Sequence, residues 1–212
     1  MPATSKLGSS RSNGARPGVK KREAEVIEAA ITIFHERGYS ETSVEEIASA
    51  LGILKGSLYY YIDSKEDLLF AIVRDVHEDV QRLLAEALSD ESGSPLERLR
   101  RYVRIQTEYN ARNIPKISVY YDDLARLSSD RMVEIREARR AAERSIRTLI
   151  VAAQEAGEIP ASIDPRLASH GLFATVNWVY RWFHEGGSIG PEELAEFTAD
   201  YAIFGLTGPR ST

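Results

Sequence analysis

Between residues 52 and 69 the sequence GILKGSLYYYIDSKEDLL gathers groups suited to holding a polyanion: Lys55, Ser57, Tyr59, Tyr60, Tyr61 and Lys65. Lysine ammonium groups and hydroxyls donate to phosphate oxygens and to the acceptors on base edges. Successive helical residues lie about 100° apart, so three consecutive tyrosines fan over roughly 200° and no single apolar face can hide them all. Gly56 costs about 1 kcal/mol of helix propensity relative to alanine, which is reasonable where a backbone must lie close to another surface. Thr42 and Ser43 offer hydroxyls at the start of the preceding helix. The cap formed by Ser64 and Asp67 leaves Lys65 beside free helical amides, a natural phosphate site.

No comparable grouping suggests covalent chemistry. The four histidines, His35, His77, His170 and His184, form no metal motif, and HExxH and GxSxG are absent. Asp122 and Asp123 are adjacent, so their carboxylates diverge on a helix and make a poor acid–base pair. The chain has no cysteine, which excludes disulfides, thiolate zinc sites and a cysteine nucleophile. The reading is a binding protein with no catalytic residue, no metal and no cofactor.

The elements that must position these groups are punctuated by caps and glycines. KKREAEVIEAAITIFHERG predicts a first helix ending at Gly38, and SVEEIASALG a second, with a capping box from Ser43 to Glu46 and a stop at Gly52. A third runs from Lys55 to about Ile62, and the fourth from the SKED cap to Leu88. SDESGS (89–94) is a loop. Pro95 opens a fifth helix that ends near Asn113, and the sixth runs from Pro115 to Leu127. The seventh spans about Asp130–Ala156, the eighth starts at Asp164–Pro165 and stops at Gly186–Gly187, and the ninth runs from Pro191 to Gly205. No strand-like alternation competes. The expected fold is all-α, with about nine helices in a three-helix head and a larger helical body.

The 212 residues are 43% hydrophobic, enough for a real core. Residues 1–22 carry six basic residues and no acid, so with a net charge of −5 the rest must carry −11. Such an arm either meets a polyanion or serves as a solubilising tail. Neither a signal-peptide core nor a long apolar run occurs, so the expectation is a cytoplasmic protein. Division of the chain follows as a flexible basic arm at 1–19, a helix-turn-helix at 20–66 and a body at 67–212.

Val44, Ile47, Ala48 and Leu51 form one stripe, Ala48 allows close helix crossing, and Ile53, Leu58 and Ile62 continue the apolar contact. In this order and spacing, TSVEEIASALGILKGSLYYYIDSKEDLL resembles the signature of the tetracycline-repressor (TetR) family of bacterial transcription regulators. The match covers about residues 20–70. It implies a homodimer that binds palindromic operator DNA, usually as a repressor released by a small molecule. Thr42, Ser43, Lys55, Ser57, Tyr59, Tyr60, Tyr61 and Lys65 fall on the family's DNA-facing positions, with Gly56 at the close approach. Tyr60 departs from the family's usual residue, which bears on base preference. Ile62 is a core exchange, and Leu54 replaces the usual serine or threonine cap.

The body reads as sensor and dimer. GLFATVNWVYRWF (171–183) is apolar nearly all round, as expected of a helix buried on both sides, and the last two helices would pair across a dimer axis. Asn177 and Arg181 lie four apart on that helix, between Trp178 and Trp182. Arg181 is either an ion-pair partner of an acid such as Asp122 or Asp123, or a ligand anchor. Tyr120, Tyr121 and Leu124 on the sixth helix are candidates for pocket or for plain core. The carboxy-terminal pattern more loosely resembles members that control fatty-acid or steroid breakdown and respond to acyl-coenzyme A thioesters. That resemblance implies an effector site using Arg104, with Arg139 and Arg140, for phosphates, and the aromatic residues for the acyl part. The alternatives are a family member responding to a hydrophobic drug-like ligand, and a helical scaffold protein without a DNA role.

Overall fold

A computed structural model describes residues 17–89 and 93–208. Most of the expected basic arm and part of the SDESGS loop lie outside the described residues. Among the described residues there are nine α-helices, two short 3-10 turns and no strand. The helices are α1 (Pro17–Arg37), α2 (Val44–Ala50), α3 (Lys55–Leu58), α4 (Lys65–Ser89), α5 (Pro95–Arg112), α6 (Ile114–Asp123), α7 (Ser129–Glu155), α8 (Pro165–Asn177) and α9 (Pro191–Thr207).

The local signals that set these boundaries are the caps. Ser43 and Glu46 exchange hydrogen bonds at the start of α2, at 3.2 and 2.7 Å. Ser94 and Glu97 do the same at α5, with Pro95 in its first turn. Asp164 accepts from the amides of Arg166 and Leu167 at α8. Gly38, Gly52 and Gly157 adopt positive φ after α1, α2 and α7, a conformation that costs other residues strain.

The chain divides into two compact units: the described residues up to Val76 with Pro115–Val133, and His77–Ile114 with Glu134 onward. In the first, α1 packs on α2 and α2 on α3. Its buried apolar residues include Val26, Ala30, Phe34, Ile47, Leu58, Leu68, Leu69 and Ile72 on α1–α4, and Ile62 between α3 and α4. His35 on α1 meets Ser118 on α6 at 2.6 Å, and Lys116 on α6 pairs with Asp75 on α4.

In the second unit α5 is central, packed along α9 and against α8. Leu99, Tyr102 and Val103 of α5 join Ile146, Leu149, Ile150, Leu172, Val176, Ala199 and Leu206 in one buried cluster. Along the α5–α9 seam, Arg100 pairs with Glu196 and Asp200, and Arg112 with Glu192.

α9 runs through Gly205 to Thr207, where Gly208 at φ +64° stops it, and three other helices end earlier than the sequence expectation. α3 stops at Leu58 rather than Ile62, because the tyrosines close their turn with i→i+3 bonds, Tyr60 N–H to Ser57 and Tyr61 N–H to Leu58. α6 gives way at Asp123 to a 3-10 turn, Leu124–Arg126. α8 stops at Asn177, and Val179–Arg181 forms a second 3-10 turn. Aromatic and β-branched residues lose rotamer freedom against the preceding helical turn, and the run WVYRWF supplies six residues with only one good helix former. Asn177 and Arg181 therefore do not share the α-helical stripe expected of them.

Candidate nucleic-acid interface

The turn between α2 and α3 is fixed by its backbone. Gly52 at φ +64° donates to Ser49 and Ile53 donates to Ala48, both at 3.0 Å, which closes the end of α2 and redirects the chain. Leu58 and Ile62, both fully buried, anchor the far side of α3. The opposite side is left in water: Leu54 is 79% exposed, Tyr60 69% and Tyr59 39%, while Lys55, Gly56 and Ser57 are also exposed. Tyr61 is half-buried, and its ring meets Tyr60 edge-on at 5.2 Å. The three phenols therefore divide as their angular spacing demands, two outward and one inward.

A methyl built on Gly56 would meet nothing within 4 Å, and its φ is ordinary. Nothing inside the protein demands glycine there. Lys55 pairs with Glu45 on α2 and also lies over the Tyr59 ring at 6.0 Å. That hydrogen bond holds the Glu45 carboxyl below its ordinary range and raises the Lys55 ammonium. Both groups stay charged in this pair.

Thr42 and Lys65 depart from the expected outward placement. Thr42 is buried, and its hydroxyl donates to the Gly38 carbonyl at 2.9 Å, because the end of α1 leaves carbonyls without helical partners. Lys65 turns back to the same loop, donating to the carbonyls of Tyr39 and Thr42 at 2.7 Å each, with its ammonium 4.3 Å from the centre of the Tyr39 ring. Its charge braces the α1–α2 connection against the start of α4. Ser43 uses its hydroxyl as the α2 cap.

The start of α4 is tied down again by Asp67. Its carboxylate accepts from the amides of Asp63 and Ser64, at 2.9 and 2.7 Å, and pairs with Arg131. Burial would raise this carboxyl, but Arg131 and the two amides outweigh it and hold it below its ordinary range. Glu66 adds a bond from the Ser128 amide at 2.9 Å. Sequence reading passed over Glu45 and Arg131, whose partners Lys55 and Asp67 lie 10 and 64 residues away.

The residues expected at an effector site fall in both units. Tyr120 and Leu124 are buried in the first, and Tyr120 meets the Tyr121 ring edge-on at 4.7 Å. Asp123, an expected partner for Arg181, is buried there, within 3.9 Å of Arg126 and hydrogen-bonded by the Tyr39 backbone. Arg181 belongs to the second unit, where its guanidinium lies over the rings of Tyr180 and Trp178, at 5.0 and 5.8 Å. Arg104 meets Glu108 at 3.4 Å and Glu196 at 3.7 Å, so its charge already has carboxylate partners. Asn177 is half-buried, whereas Trp178 and Trp182 are exposed.

Sequence reasoning also missed a polar stripe on α5. Gln106, Thr107 and Asn110 are buried; Gln106 donates to Asn110, and Asn110 donates to the Val176 carbonyl, each at 2.9 Å. Gln106 Oε1 and Thr107 Oγ1 have no hydrogen-bond partner. Among the described residues no group of three or more side chains could hold a metal ion, and no helix is long and apolar enough to cross a membrane.

Comparison with known proteins agrees with this geometry. Residues 26–72 match the family described as bacterial regulatory proteins, tetR family. Residues 92–206 match the tetracyclin repressor-like C-terminal domain. The HTH-type transcriptional repressor KstR2 of Rhodococcus jostii (strain RHA1) is 29% identical over 201 residues, covering 92% of this chain and 95% of that protein. The structure of the ketosteroid transcriptional regulator KstR2 of Mycobacterium tuberculosis superposes with a TM-score of 0.82 at 25% identity, covering 89% of this chain and 96% of the other. AibR, solved in complex with isovaleryl coenzyme A and operator DNA, gives a TM-score of 0.77 at 26% identity, with coverage of 89% and 99%. The chain belongs to the TetR family and is a DNA-binding transcriptional regulator, not an enzyme.

Proposed function

We propose that this regulator acts in the cytoplasm as a homodimeric repressor of a palindromic operator and is released by an acyl-coenzyme A thioester of lipid or steroid catabolism. In this reading residues 20–66 form the DNA-binding head and residues 67–212 the sensor and dimer body. Lys55, Gly56, Ser57, Tyr59 and Tyr60 meet the DNA directly, and Thr42, Ser43, Tyr61 and Lys65 hold the reader in shape. The observation that carries the reading is the exposed face of α3, polar and aromatic in front and fully buried behind. A helix offered this way reaches base edges and phosphates without disturbing the core.

Self-association is supported by the outer faces of α8 and α9. Leu167 on α8 and Trp178 just past its end are exposed, as are Phe197, Tyr201 and Phe204 on α9, while the inner faces are buried. An apolar surface of this kind marks an interaction site, and a two-fold pairing of the last two helices would cover it.

The effector class rests on the relatives, KstR2 as a ketosteroid regulator and AibR with isovaleryl coenzyme A. The unpartnered oxygens of Gln106 and Thr107 support a ligand within the second unit, because a buried polar atom without a partner costs about 1–3 kcal/mol. The test is to form the operator complex and titrate it with short-chain, long-chain and steroid-derived coenzyme A thioesters and with the free acids. Release by one thioester class and not by its acid supports the proposal. Release by none of them, with apolar drug-like compounds effective instead, would move the protein to efflux control.

A further inference from the structure

Leu54 stands out against the rest of the head. It is the most exposed of the large apolar side chains among the described residues, at 79%, between half-buried Ile53 and exposed Lys55. Its backbone is extended, with φ −71° and ψ 146°, and its carbonyl accepts from the amides of Ser57 and Leu58, at 2.9 and 3.3 Å. The carbonyl thus completes the turn, while the side chain takes no part in capping. Serine, threonine, aspartate or asparagine at this position would satisfy a helical amide. Leucine forgoes that bond and leaves an isobutyl group in water. Inside the protein nothing offsets either loss, since the apolar side of the segment is already filled by Leu58 and Ile62.

The side chain stands at the amino-terminal end of α3, next to exposed Lys55, Gly56 and Ser57, and the amino-terminal residues of a recognition helix are the ones that meet base edges. In the major groove one apolar group distinguishes the bases, the C5 methyl of thymine. We propose that Leu54 is a specificity-determining residue that reads one thymine in each half-site through that methyl group. The inference rests on the reading of α3 as the DNA reader and adds a base to it. The hydroxyls and the lysine select by hydrogen bonding and charge, and Leu54 selects by apolar contact alone.

The experiment uses the full-length protein and an operator selected from random double-stranded DNA. Each thymine is replaced in turn by deoxyuridine, which removes the methyl and keeps every hydrogen-bonding group, and affinity is read by fluorescence anisotropy at fixed salt. One thymine per half-site should lose about fourfold in affinity, or about fifteenfold with both replaced, the value of one buried methyl each. With Leu54→Ala the same thymine and deoxyuridine should bind equally. Leu54→Ser, which restores a capping hydroxyl, should behave likewise while melting no lower than the parent. A selected operator with no thymine whose methyl effect disappears in both variants overturns the assignment of Leu54 alone. If the protein selects no sequence at all, the reading of α3 as a DNA reader falls and the inference falls with it.

Discussion

Replacing Gly56 by alanine separates what the fold needs from what the DNA needs. In the free protein the added methyl meets no atom within 4 Å, and the backbone φ lies in the ordinary range, so no strain arises. Alanine gains up to about 1 kcal/mol over glycine in a helix. Gly56 sits in the first turn of a four-residue helix, so the gain should fall in the lower part of that range. For a chain of this size 1 kcal/mol raises Tm by about 2–4 °C. If Gly56 lies at the proposed close approach to operator DNA, the same methyl is forced into that contact, where it costs about 1–3 kcal/mol per half-site. The variant should therefore melt slightly higher and bind the two half-sites at least about thirtyfold more weakly. Differential scanning fluorimetry and anisotropy titration at one salt concentration measure the two effects on the same sample. A variant that binds operator as well as the parent would refute the close approach, and one that melts lower would refute the open space around Gly56.

Glu45→Gln removes the carboxylate paired with Lys55, so if Lys55 meets phosphate as proposed, operator and non-specific DNA should both bind severalfold more tightly in anisotropy titrations at low salt. Unchanged affinity would mean that Lys55 meets no phosphate. Lys65→Ala should lower stability by about 1–3 kcal/mol, because two backbone carbonyls lose a charged donor, and the loss should appear in denaturant unfolding before any DNA is added. His77 is buried on α4, and burial, then the Arg139 charge, pulls its pKa down to about 4 from an ordinary 6.5. Folded protein thus holds the imidazole neutral while the unfolded chain takes up a proton below pH 6.5. Stability present above that pH should be lost as pH falls toward 4, by up to about 3 kcal/mol, and thermal melts of His77→Gln should lack this part of the decline.

Much of the head was legible because its signals are local. A serine three residues before a glutamate or aspartate, and a glycine after an apolar stripe, fixed the ends of α1, α2 and α4 without knowledge of the rest of the fold. The tyrosine triplet was legible for the same reason, since helical angles alone force at least one phenol outward. What the sequence hid was long-range. Lys65 finds its carbonyls 23 and 26 residues away, and Asp67 finds Arg131 64 residues away, so neither partner can be read from spacing. The sequence therefore showed Lys65 only as a candidate phosphate ligand and not as a brace of the α1–α2 connection. The grouping of Pro115–Val133 with the amino-terminal helices had no local mark either. In the body, composition announced a helix apolar nearly all round; α9 exposes Phe197, Tyr201 and Phe204 opposite its buried residues, whereas α8 exposes only Leu167 among its large apolar residues. The same aromatic residues that made α8 look apolar all round also ended it early, which periodicity cannot register. Gln106 and Thr107 went unnoticed because a polar residue on a buried stripe is visible only once the stripe has a core to face.

The central claim is that the outward face of α3 holds DNA through charge and through specific contacts together. The most direct measurement is the affinity of the dimer for its selected operator, and for a scrambled duplex, as a function of salt. The account predicts that both affinities fall linearly on logarithmic axes as phosphate contacts release counterions, with the operator the tighter at every salt concentration. Operator affinity that is indifferent to salt, or equal to that of the scrambled duplex, would contradict it.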